Sequence, residues 1–428
     1  MSIMLGCIAD DFTGATDLAG MLVQGGMKTV QIIGIPQGPL PSNIDADAVV
    51  IALKSRTNPA QEAVTDSLAA LKWLRSAGCR QIYFKYCSTF DSTDQGNIGP
   101  VTDALMQALD TPFTIACPAF PENGRTIFNG YLFVGDMLLE ESGMRHHPLT
   151  PMTDSNLVRV LQRQTSSRVG LIGHQIVKAG VQAIRQRIAQ IKADGIQIAV
   201  IDATSNEDLM QIGQACADLP LLTAGSGVAL GLPQNFREQG LLTRQDAATS
   251  LPPTPGLRAI VCGSCSQASQ AQLADIAKKG VPSYAIDPLT LTGSDHALDD
   301  AVQAAMAWAA PLLPQGPVVV YATASAIRVK AIQEALGTER AGALVEAALA
   351  AVAQKLVAQG VRQLIVAGGE TSGAVVTALK ISSLRIGPQI DPGVPWTVSL
   401  DGTPISLALK SGNFGNVDFF SKAWSLLP

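Results

Sequence analysis

The sequence predicts an α/β protein of two domains, each a mostly parallel sheet flanked by helices. Short apolar runs of strand length alternate with longer segments whose apolar residues recur every three or four positions. The chain has 428 residues, more than one ordinary hydrophobic core accommodates. A polar, proline-rich stretch at 234–256 interrupts the alternation, which then starts again. These three observations predict two βα domains joined near that stretch.

The first half of the chain alternates strand and helix patterns. Strands are predicted at 3–9, 29–35, 48–53, 81–85, 113–117, 169–173, 197–202 and 220–223. Helices are predicted between them at 60–77, 100–109, 179–194 and 206–217. Several of these strands end directly in polar clusters. Because open parallel sheets bind ligands at the carboxyl ends of their strands, those clusters are the candidate sites.

The domain boundary is placed in the irregular stretch, with a first domain at 1–235, a linker at 236–256 and a second domain at 257–428. In the second domain, strands are predicted at 258–263, 282–286, 317–321 and 363–367, and helices at 266–279 and 339–358. Residues 395–410 predict short strands or a hairpin, with Asp401–Gly402 as the turn.

The composition argues against several classes of protein. Apolar residues make up 47% and charged residues 15%, which suits a large buried core. No window holds about 18 uninterrupted apolar residues, and the start lacks the basic region of a secretory signal. We therefore expect a cytoplasmic protein without a membrane span. The formal charge is −5 and no lysine or arginine run occurs, so no nucleic-acid partner is expected. A homo-oligomer is compatible with the sequence.

The seven cysteines are scattered along a large chain, which favours reduced thiols over a disulfide framework. Cys262 and Cys265 form a lone CGSC, and a zinc site would need a second pair of ligands. Packing at a strand end is therefore the preferred interpretation of this pair.

The first polar cluster is ADDFTGATD at 9–17, between a buried strand and a helix. Asp10 and Asp11 are candidate catalytic residues, since a carboxylate at a strand end can accept a hydrogen bond from a substrate hydroxyl or act as general base. Thr13 is a candidate for substrate binding where the helix begins. The alternative is an aspartate N-cap, which accounts for one of the two acidic residues and not for both.

Three further strand ends carry candidate substrate-binding residues. They are Lys54 and Arg56 in KSRT, Lys85, Asp91 and Ser92 in KYCSTFDSTDQGN, and Arg125 in CPAFPENGRT. Their cations suit an anionic substrate, because arginine grips a carboxylate with two hydrogen bonds. A solvated surface pair at KSRT and structural loops at the other two remain alternatives. The glycine-rich TAGSGVALGLP at 223–233 fits either anion binding or close packing.

The second domain has three turns rich in glycine and hydroxyl groups, GSCSQAS at 263–269, VAGGETSGAVV at 366–376 and LKSGNFGN at 409–416. Such turns offer backbone amides and positive helix ends to phosphate groups. The chain has no GxxxxGK[ST], and no GxGxxG opens its first βα unit. The residues alone therefore predict a two-domain α/β enzyme with an anionic substrate in one half and a phosphate ligand in the other.

These motifs, in this order, resemble the four-carbon acid sugar kinase family from residue 5 to about 420. The resemblance implies an acid-sugar domain followed by a nucleotide domain, with the active site in the cleft between them. The implied reaction is ATP-dependent phosphorylation of the 4-hydroxyl of a small sugar acid. The implied ATP contacts are Ser264, Gly368, Gly369, Glu370, Thr371 and Gly412, to which we add the hydroxyl of Ser266. Phosphoryl-transfer chemistry implies Mg²⁺, with Glu370 as its candidate ligand.

One loop departs from much of that family. Residues 86–90 lengthen the segment between Lys85 and Asp91, and Asp94–Gln95 replaces a leucine–arginine pair. This favours the oxo-tetronate branch over threonate and erythronate kinases, and it removes one arginine from the expected anion site. We expect Arg56 and Lys85 to hold the substrate's charge, with Arg125 as a further candidate. Asp10 or Asp11 is expected to orient or deprotonate the attacking hydroxyl, and the sequence does not separate them.

Two other classes of function are alternatives to the kinase. A non-catalytic sugar-acid sensor would be expected to carry a DNA-binding helix-turn-helix with a basic face, and the sequence shows no such pattern. A dehydrogenase or lyase of the same acids is disfavoured because the dinucleotide fingerprint is missing.

Overall fold

The computed structural model describes residues 3–39, 44–147, 149–243, 248–292, 294, 296–322 and 337–427. The chain divides into two compact units, Met1–Thr249 and Ser250–Pro428. This division falls inside the predicted linker at 236–256, of which residues 244–247 lie outside the described part. The predicted α/β class is confirmed, since each unit has a mostly parallel sheet with helices.

The first unit is built on eight parallel strands. Five of these strands come first in the chain, and three follow after a small separate sheet of strands β6–β8. They are β1 (Leu5–Ala9), β2 (Thr29–Ile33), β3 (Ala48–Ala52), β4 (Gln81–Lys85) and β5 (Thr114–Cys117), then β9 (Val169–Ile172), β10 (Ile198–Ile201) and β11 (Leu221–Ala224). Their order in the sheet is β2-β3-β1-β4-β11-β5-β10-β9. Every residue of β1, β3 and β4 is buried, as expected for parallel strands covered on both faces.

Helices connect these strands. They are α1 (Phe12–Gln24), α2 (Ala60–Ser76), α3 (Ile98–Ala108), α4 (Leu157–Gln162), α5 (His174–Lys178), α6 (Val181–Ala193), α7 (Asn206–Ala215) and α8 (Leu232–Glu238). Helix α2 buries Ala63, Ser67, Ala70, Leu71 and Leu74, at the three- and four-residue spacing that predicted it. Helix α7 begins with a capping box, in which Ser205 and Asp208 bond each other's backbone amides.

A small antiparallel sheet interrupts the first unit and was not predicted. Its strands are β6 (Arg125–Phe128), β7 (Tyr131–Val134) and β8 (Met137–Leu138). Asn129 and Gly130 join the first two strands with φ of 51° and 78°. Asn-Gly with two positive φ angles is the preferred two-residue hairpin turn, so the sequence did carry a signal for this element.

The second unit has a seven-stranded sheet of order β13-β14-β12-β15-β18-β17-β16. Its strands are β12 (Leu257–Cys262), β13 (Ser283–Ala285), β14 (Val318–Tyr321), β15 (Val361–Ala367), β16 (Ser383–Asp391), β17 (Val394–Ser399) and β18 (Ser406–Lys410). The first five in sheet order are parallel. Strands β17 and β18 pair antiparallel, which confirms the predicted hairpin.

The helices of the second unit are α9 (Gln267–Lys278), α10 (Ala297–Ala309), α11 (Thr338–Ala358), α12 (Gly369–Ala378) and α13 (Phe419–Lys422). Trp396 on β17 is fully buried in the core of this unit, beside Phe419 and Phe420. Within α11, Arg340–Ala358 is long and apolar enough to cross a membrane by length and composition alone. Of the stretch that meets this test, 39% is buried inside the protein, and core helices of soluble proteins meet the same test.

Candidate active site

The first unit gathers four charged side chains at the carboxyl ends of three neighbouring strands. Strand β1 pairs in parallel with β3 on one side and with β4 on the other. Asp10 and Asp11 follow β1, Arg56 follows β3 and Lys85 ends β4. Parallel strands end at the same edge of a sheet, so these residues meet although up to 75 positions separate them in the chain.

The four side chains form a connected ion cluster. Arg56 donates from Nε and Nη2 to the two carboxylate oxygens of Asp10, each at 2.8 Å, and from Nη2 to Asp11 Oδ1 at 2.6 Å. Lys85 Nζ lies 3.4 Å from Asp11 Oδ1 and 3.9 Å from Asp10 Oδ1. Asp91 Oδ2 lies 3.9 Å from Arg56 Nη1. The two predicted cations are therefore already paired with carboxylates.

Local structure explains why this arrangement forms. Asp11 is the N-cap of α1, and its carboxylate accepts from the Gly14 amide at 3.1 Å and from the Thr13 hydroxyl at 2.9 Å. A Cβ on Gly14 would lie 1.8 Å from Lys85 Nζ, so any larger residue at this position would displace the ammonium. The N-cap alternative is thus true of Asp11, and the same carboxylate also belongs to the cluster.

The loop that carries Arg56 is held by a residue that was not among the predicted site residues. Asn97 donates from Nδ2 to the backbone carbonyls of Ser55 at 2.7 Å, Arg56 at 3.2 Å and Asn58 at 3.1 Å. Asn97 is buried. An asparagine that satisfies three carbonyls fixes the loop, and with it the approach of the guanidinium to the aspartates.

The two adjacent aspartates differ in acidity. Burial raises the pKa of Asp10 above its ordinary value, and Arg56 and Lys85 oppose the rise only in part. Burial acts in the same direction on Asp11, but Arg56, Lys85 and the hydrogen bonds from Thr13 and Gly14 outweigh it, so the pKa of Asp11 is lowered. Asp10 is therefore the better proton acceptor of the two.

A third aspartate, Asp17, was counted in the motif but not predicted as a site residue. It is buried on α1, accepts a hydrogen bond from Ser226, and has no partner for Oδ1 among the described residues. Burial raises its pKa to about 6, against the attraction of Lys85. Ser226 belongs to the glycine-rich bend at 223–233, so this bend packs on α1 and receives a carboxylate.

The long loop after Lys85 begins with packed aromatic rings and ends with polar side chains. The Tyr86 ring lies edge-on to Phe84 and Phe90, at centroid distances of 5.6 and 5.4 Å. Asp91 accepts from the Thr89 hydroxyl at 2.6 Å and faces the ion cluster. The Ser92 hydroxyl instead accepts from Gln164, as the structural alternative supposed.

Arg125 is half-buried, unlike Lys54. Lys54 is exposed. Arg125 bonds the Asn123 carbonyl, and its Nε is buried without a hydrogen-bond partner among the described residues. Asn123 Nδ2 is buried and unpartnered in the same way. No carboxylate of the described chain forms an ion pair with Arg125, and burial lowers its pKa. Two donors without acceptors lie in one loop.

In the second unit, the three glycine-rich turns converge. They follow β12, β15 and β18, which are consecutive in the sheet. A Cβ on Gly263 would lie 2.3 Å from Thr371 Oγ1, and one on Gly368 would lie 2.8 Å from the same atom. Gly412 approaches Ser264, where a Cβ would lie 2.6 Å from Oγ. Close approach of backbone explains the glycines, and α12 begins at this point with amides that have no partner within the helix.

The serines of the first turn are bonded to each other. Ser266 caps α9 by accepting from the Ser269 amide at 3.1 Å, and its hydroxyl donates to the Gly412 carbonyl. Ser264 donates to Ser266 Oγ at 3.1 Å. Gly369 and Glu370 are exposed at the start of α12. The predicted nucleotide residues are thus brought together, with Ser266 acting as a helix cap.

One charged residue in this region was missed. Lys410 ends β18 and is completely buried, with its ammonium bonded to backbone carbonyls of the third turn. The sequence carried the same signal that singled out Lys85, a lysine at the end of an apolar strand.

Comparison with known proteins covers both units. A model of a sugar-binding N-terminal domain matches residues 5–232, and a model of a nucleotide-binding C-terminal domain matches residues 259–420. The chain is 60% identical to a 3-oxo-tetronate kinase from Burkholderia multivorans, over 98% of this chain and 96% of that protein. A 3-oxo-tetronate kinase from Salmonella typhimurium is 47% identical, over 98% of both chains. A crystal structure from Salmonella typhimurium LT2 superposes with a TM-score of 0.89 at 46% identity, covering 100% of both chains.

Proposed function

The chain belongs to the four-carbon acid sugar kinase family, and from this premise we propose that it phosphorylates the 4-hydroxyl of 3-oxo-tetronate with ATP. The observation that carries the proposal is the ion cluster of Asp10, Asp11, Arg56 and Lys85 at the carboxyl edge of the sugar-binding unit. It supplies a candidate proton acceptor for a substrate hydroxyl, held in place by two cations.

The substrate carboxylate is assigned to Arg125. Arg56 and Lys85 are neutralised by aspartates, whereas Arg125 has no ion-pair partner in the described chain. Its buried Nε and the Asn123 amide are donors without acceptors. Leaving buried donors unpaired costs free energy, and a carboxylate bound by both would recover it. Arg56 and Lys85 then serve to orient the aspartates.

Asp10 is assigned as the general base. In the transfer, the 4-hydroxyl oxygen forms a bond to the γ-phosphorus, the bond from that phosphorus to the bridging oxygen breaks, and ADP departs. The hydroxyl proton passes to the carboxylate of Asp10, whose raised pKa suits it to receive a proton. Asp11 keeps its negative charge and holds Lys85 in place.

The second unit is assigned to ATP, with the phosphates at the turns of Ser264, Gly368 and Gly412. The described residues contain no group of three or more His, Cys, Asp or Glu side chains that would hold a metal ion. This fits Mg²⁺, which is usually bound by nucleotide phosphates and one or two carboxylates rather than by an all-protein cage. Glu370, exposed at the start of α12, is the carboxylate that we propose for that role. The proposed location is the cytoplasm, where ATP is supplied.

The test is ADP release from ATP and Mg²⁺ with 3-oxo-tetronates of both configurations, threonate and erythronate. Turnover of an oxo-tetronate alone supports the proposal. Turnover of threonate or erythronate alone keeps the kinase activity but overturns 3-oxo-tetronate as the substrate. ATP binding without turnover of any acid refutes the substrate. Asp10→Asn is expected to lower kcat by about 10²–10⁴-fold with ATP affinity unchanged. A larger loss in Asp11→Asn than in Asp10→Asn would reverse the assignment of the base.

A further inference from the structure

Lys410 joins two of the three turns of the nucleotide unit. Its ammonium donates to Ser269 Oγ at 3.0 Å, to the Ser411 carbonyl at 2.9 Å and to the Gly412 carbonyl at 2.9 Å. The Ser269 hydroxyl also donates to the Gly412 carbonyl at 3.0 Å. The glycine turn after β18 is therefore fastened to the first turn of α9 through one buried side chain.

Within the described residues, no carboxylate balances the charge of Lys410. Its exposed fraction is 0%, and no Asp or Glu in the described ranges forms an ion pair with it. A buried charge without a countercharge is costly, and buried ionic groups that persist in a fold are candidates for a role in ligand binding. The turns around this lysine are those assigned to phosphate groups, which are anions.

We propose that Lys410 is a positioning residue for bound nucleotide, holding the Ser411–Gly412 backbone in place and setting a positive charge beneath the phosphates. The inference rests on the proposed function, since ATP is the ligand. Because Lys410 is fully covered, it acts through the turn that it holds and not by contact with the ligand. The position of the Gly412 backbone is tightly constrained, because a Cβ there would lie 2.6 Å from Ser264 Oγ.

The protonation of Lys410 makes the proposal measurable. Burial lowers its pKa to about 8, and the Cys262 thiol opposes this shift. Other ionisable groups on the surrounding elements are Arg362 at the far end of β15, the exposed Glu370 on α12, and two on α9, namely Asp275 in an ion pair and the exposed Lys278. Strand β17 carries none. Above about pH 8 the ammonium of the free protein is lost.

The experiment measures the Kd of ATP by calorimetry on the full-length protein from pH 7 to pH 10. We expect affinity to fall by up to about tenfold per pH unit above pH 8, because binding then requires uptake of a proton. The Lys278→Met protein, which lacks an exposed ammonium of α9, should keep the same profile. ATP binding with a flat profile would overturn this inference alone. No ATP binding at pH 7 would overturn the proposed function and this inference with it.

A substitution of Lys410 tests the same proposal independently of pH. Lys410→Met is expected to raise the KM for ATP by at least about tenfold while the KM for the sugar acid stays within about twofold. Lys278→Met, at an exposed lysine of α9, is the matched control. Equal rises in both KM values would show a merely structural role and contradict the proposal. The pH profile of the unmodified protein decides the question if Lys410→Met does not fold.

Discussion

Lys85 and Lys410 end similar apolar strands in the two units, QIYFK and SLALK, and both are buried. Lys85 lies among carboxylates, and Asp11 and Asp10 raise its pKa even though burial alone would lower it. Lys410 is bonded to carbonyls and a hydroxyl, and burial lowers its pKa to about 8.

A buried lysine at the end of a strand therefore has a different environment in each unit. In the sugar-binding unit the ammonium of Lys85 is neutralised by Asp10 and Asp11, and we propose that it orients them for catalysis. In the nucleotide unit no carboxylate of the described residues pairs with Lys410, and we propose that a bound anion balances its charge.

The largest effect is expected from Lys85→Met. It leaves Asp10 and Asp11 short of one cation in a buried site, and removing one partner of a buried pair costs about 3–5 kcal/mol. We expect kcat/KM for the sugar acid to fall by at least about 10²-fold, with the Kd of ATP unchanged. Steady-state kinetics and calorimetry measure both. A rise in the Kd of ATP comparable to that of Lys410→Met would abolish the distinction between the two lysines.

The glycines beside the two lysines sharpen the comparison. In Gly14→Ala, the new Cβ would lie 1.8 Å from Lys85 Nζ and 2.2 Å from Asp11 Oδ1, so the flexible ammonium must move. We expect kcat to fall by about tenfold or more and the free energy of unfolding to fall by about 1–3 kcal/mol. Gly412→Ala is expected to weaken ATP binding instead. Gly143→Ala, where nothing lies within 4 Å of the new Cβ, is the control. Unchanged turnover in Gly14→Ala would show that the lysine position is not critical.

The smallest effect concerns pH and Asp17. In the folded protein its pKa is raised to about 6, above the ordinary value of 3.8. Between these values the folded state binds more protons, so its contribution to stability is present below about pH 4 and is lost as pH rises through 6. Asp17→Asn should therefore raise the free energy of unfolding by about 1–3 kcal/mol at pH 7.5, with no gain at pH 4. Denaturant titrations at both pH values measure it.

The matched control for that measurement is Asp218→Asn at an exposed carboxylate, which should change neither value. An equal gain for Asp17→Asn at pH 4 and pH 7.5 would mean that the aspartate does not titrate in this range.

For Lys410 the free energy of unfolding changes with pH in the opposite direction. Its folded pKa of about 8 lies below the ordinary 10.5, so its contribution makes the free energy of unfolding rise with pH between those values.

Local pattern was sufficient for most strands of the two large sheets and for the longer helices, because apolar periodicity reflects which face of a segment is buried, but it did not predict β6–β8 or β16. It also located the strand ends where charged and glycine-rich turns lie, and the motifs in their order identified the family. The Asn129–Gly130 hairpin and Lys410 carried readable signals that were overlooked. The predicted domain limits at 235 and 257 and the individual site residues stay predictions.

Pairing within the site was decided by the tertiary structure alone. Strand β1 lies between β3 and β4, so Asp10 meets Arg56 and Lys85, and no local rule states that order. The acidity of Asp10, Asp11 and Asp17 differs because burial and hydrogen bonds differ over a few ångströms. Ser226, 209 residues from Asp17, is one such partner. Sequence spacing names the ionisable groups, but the pKa of each depends on distance and solvent exclusion, which only the folded chain determines.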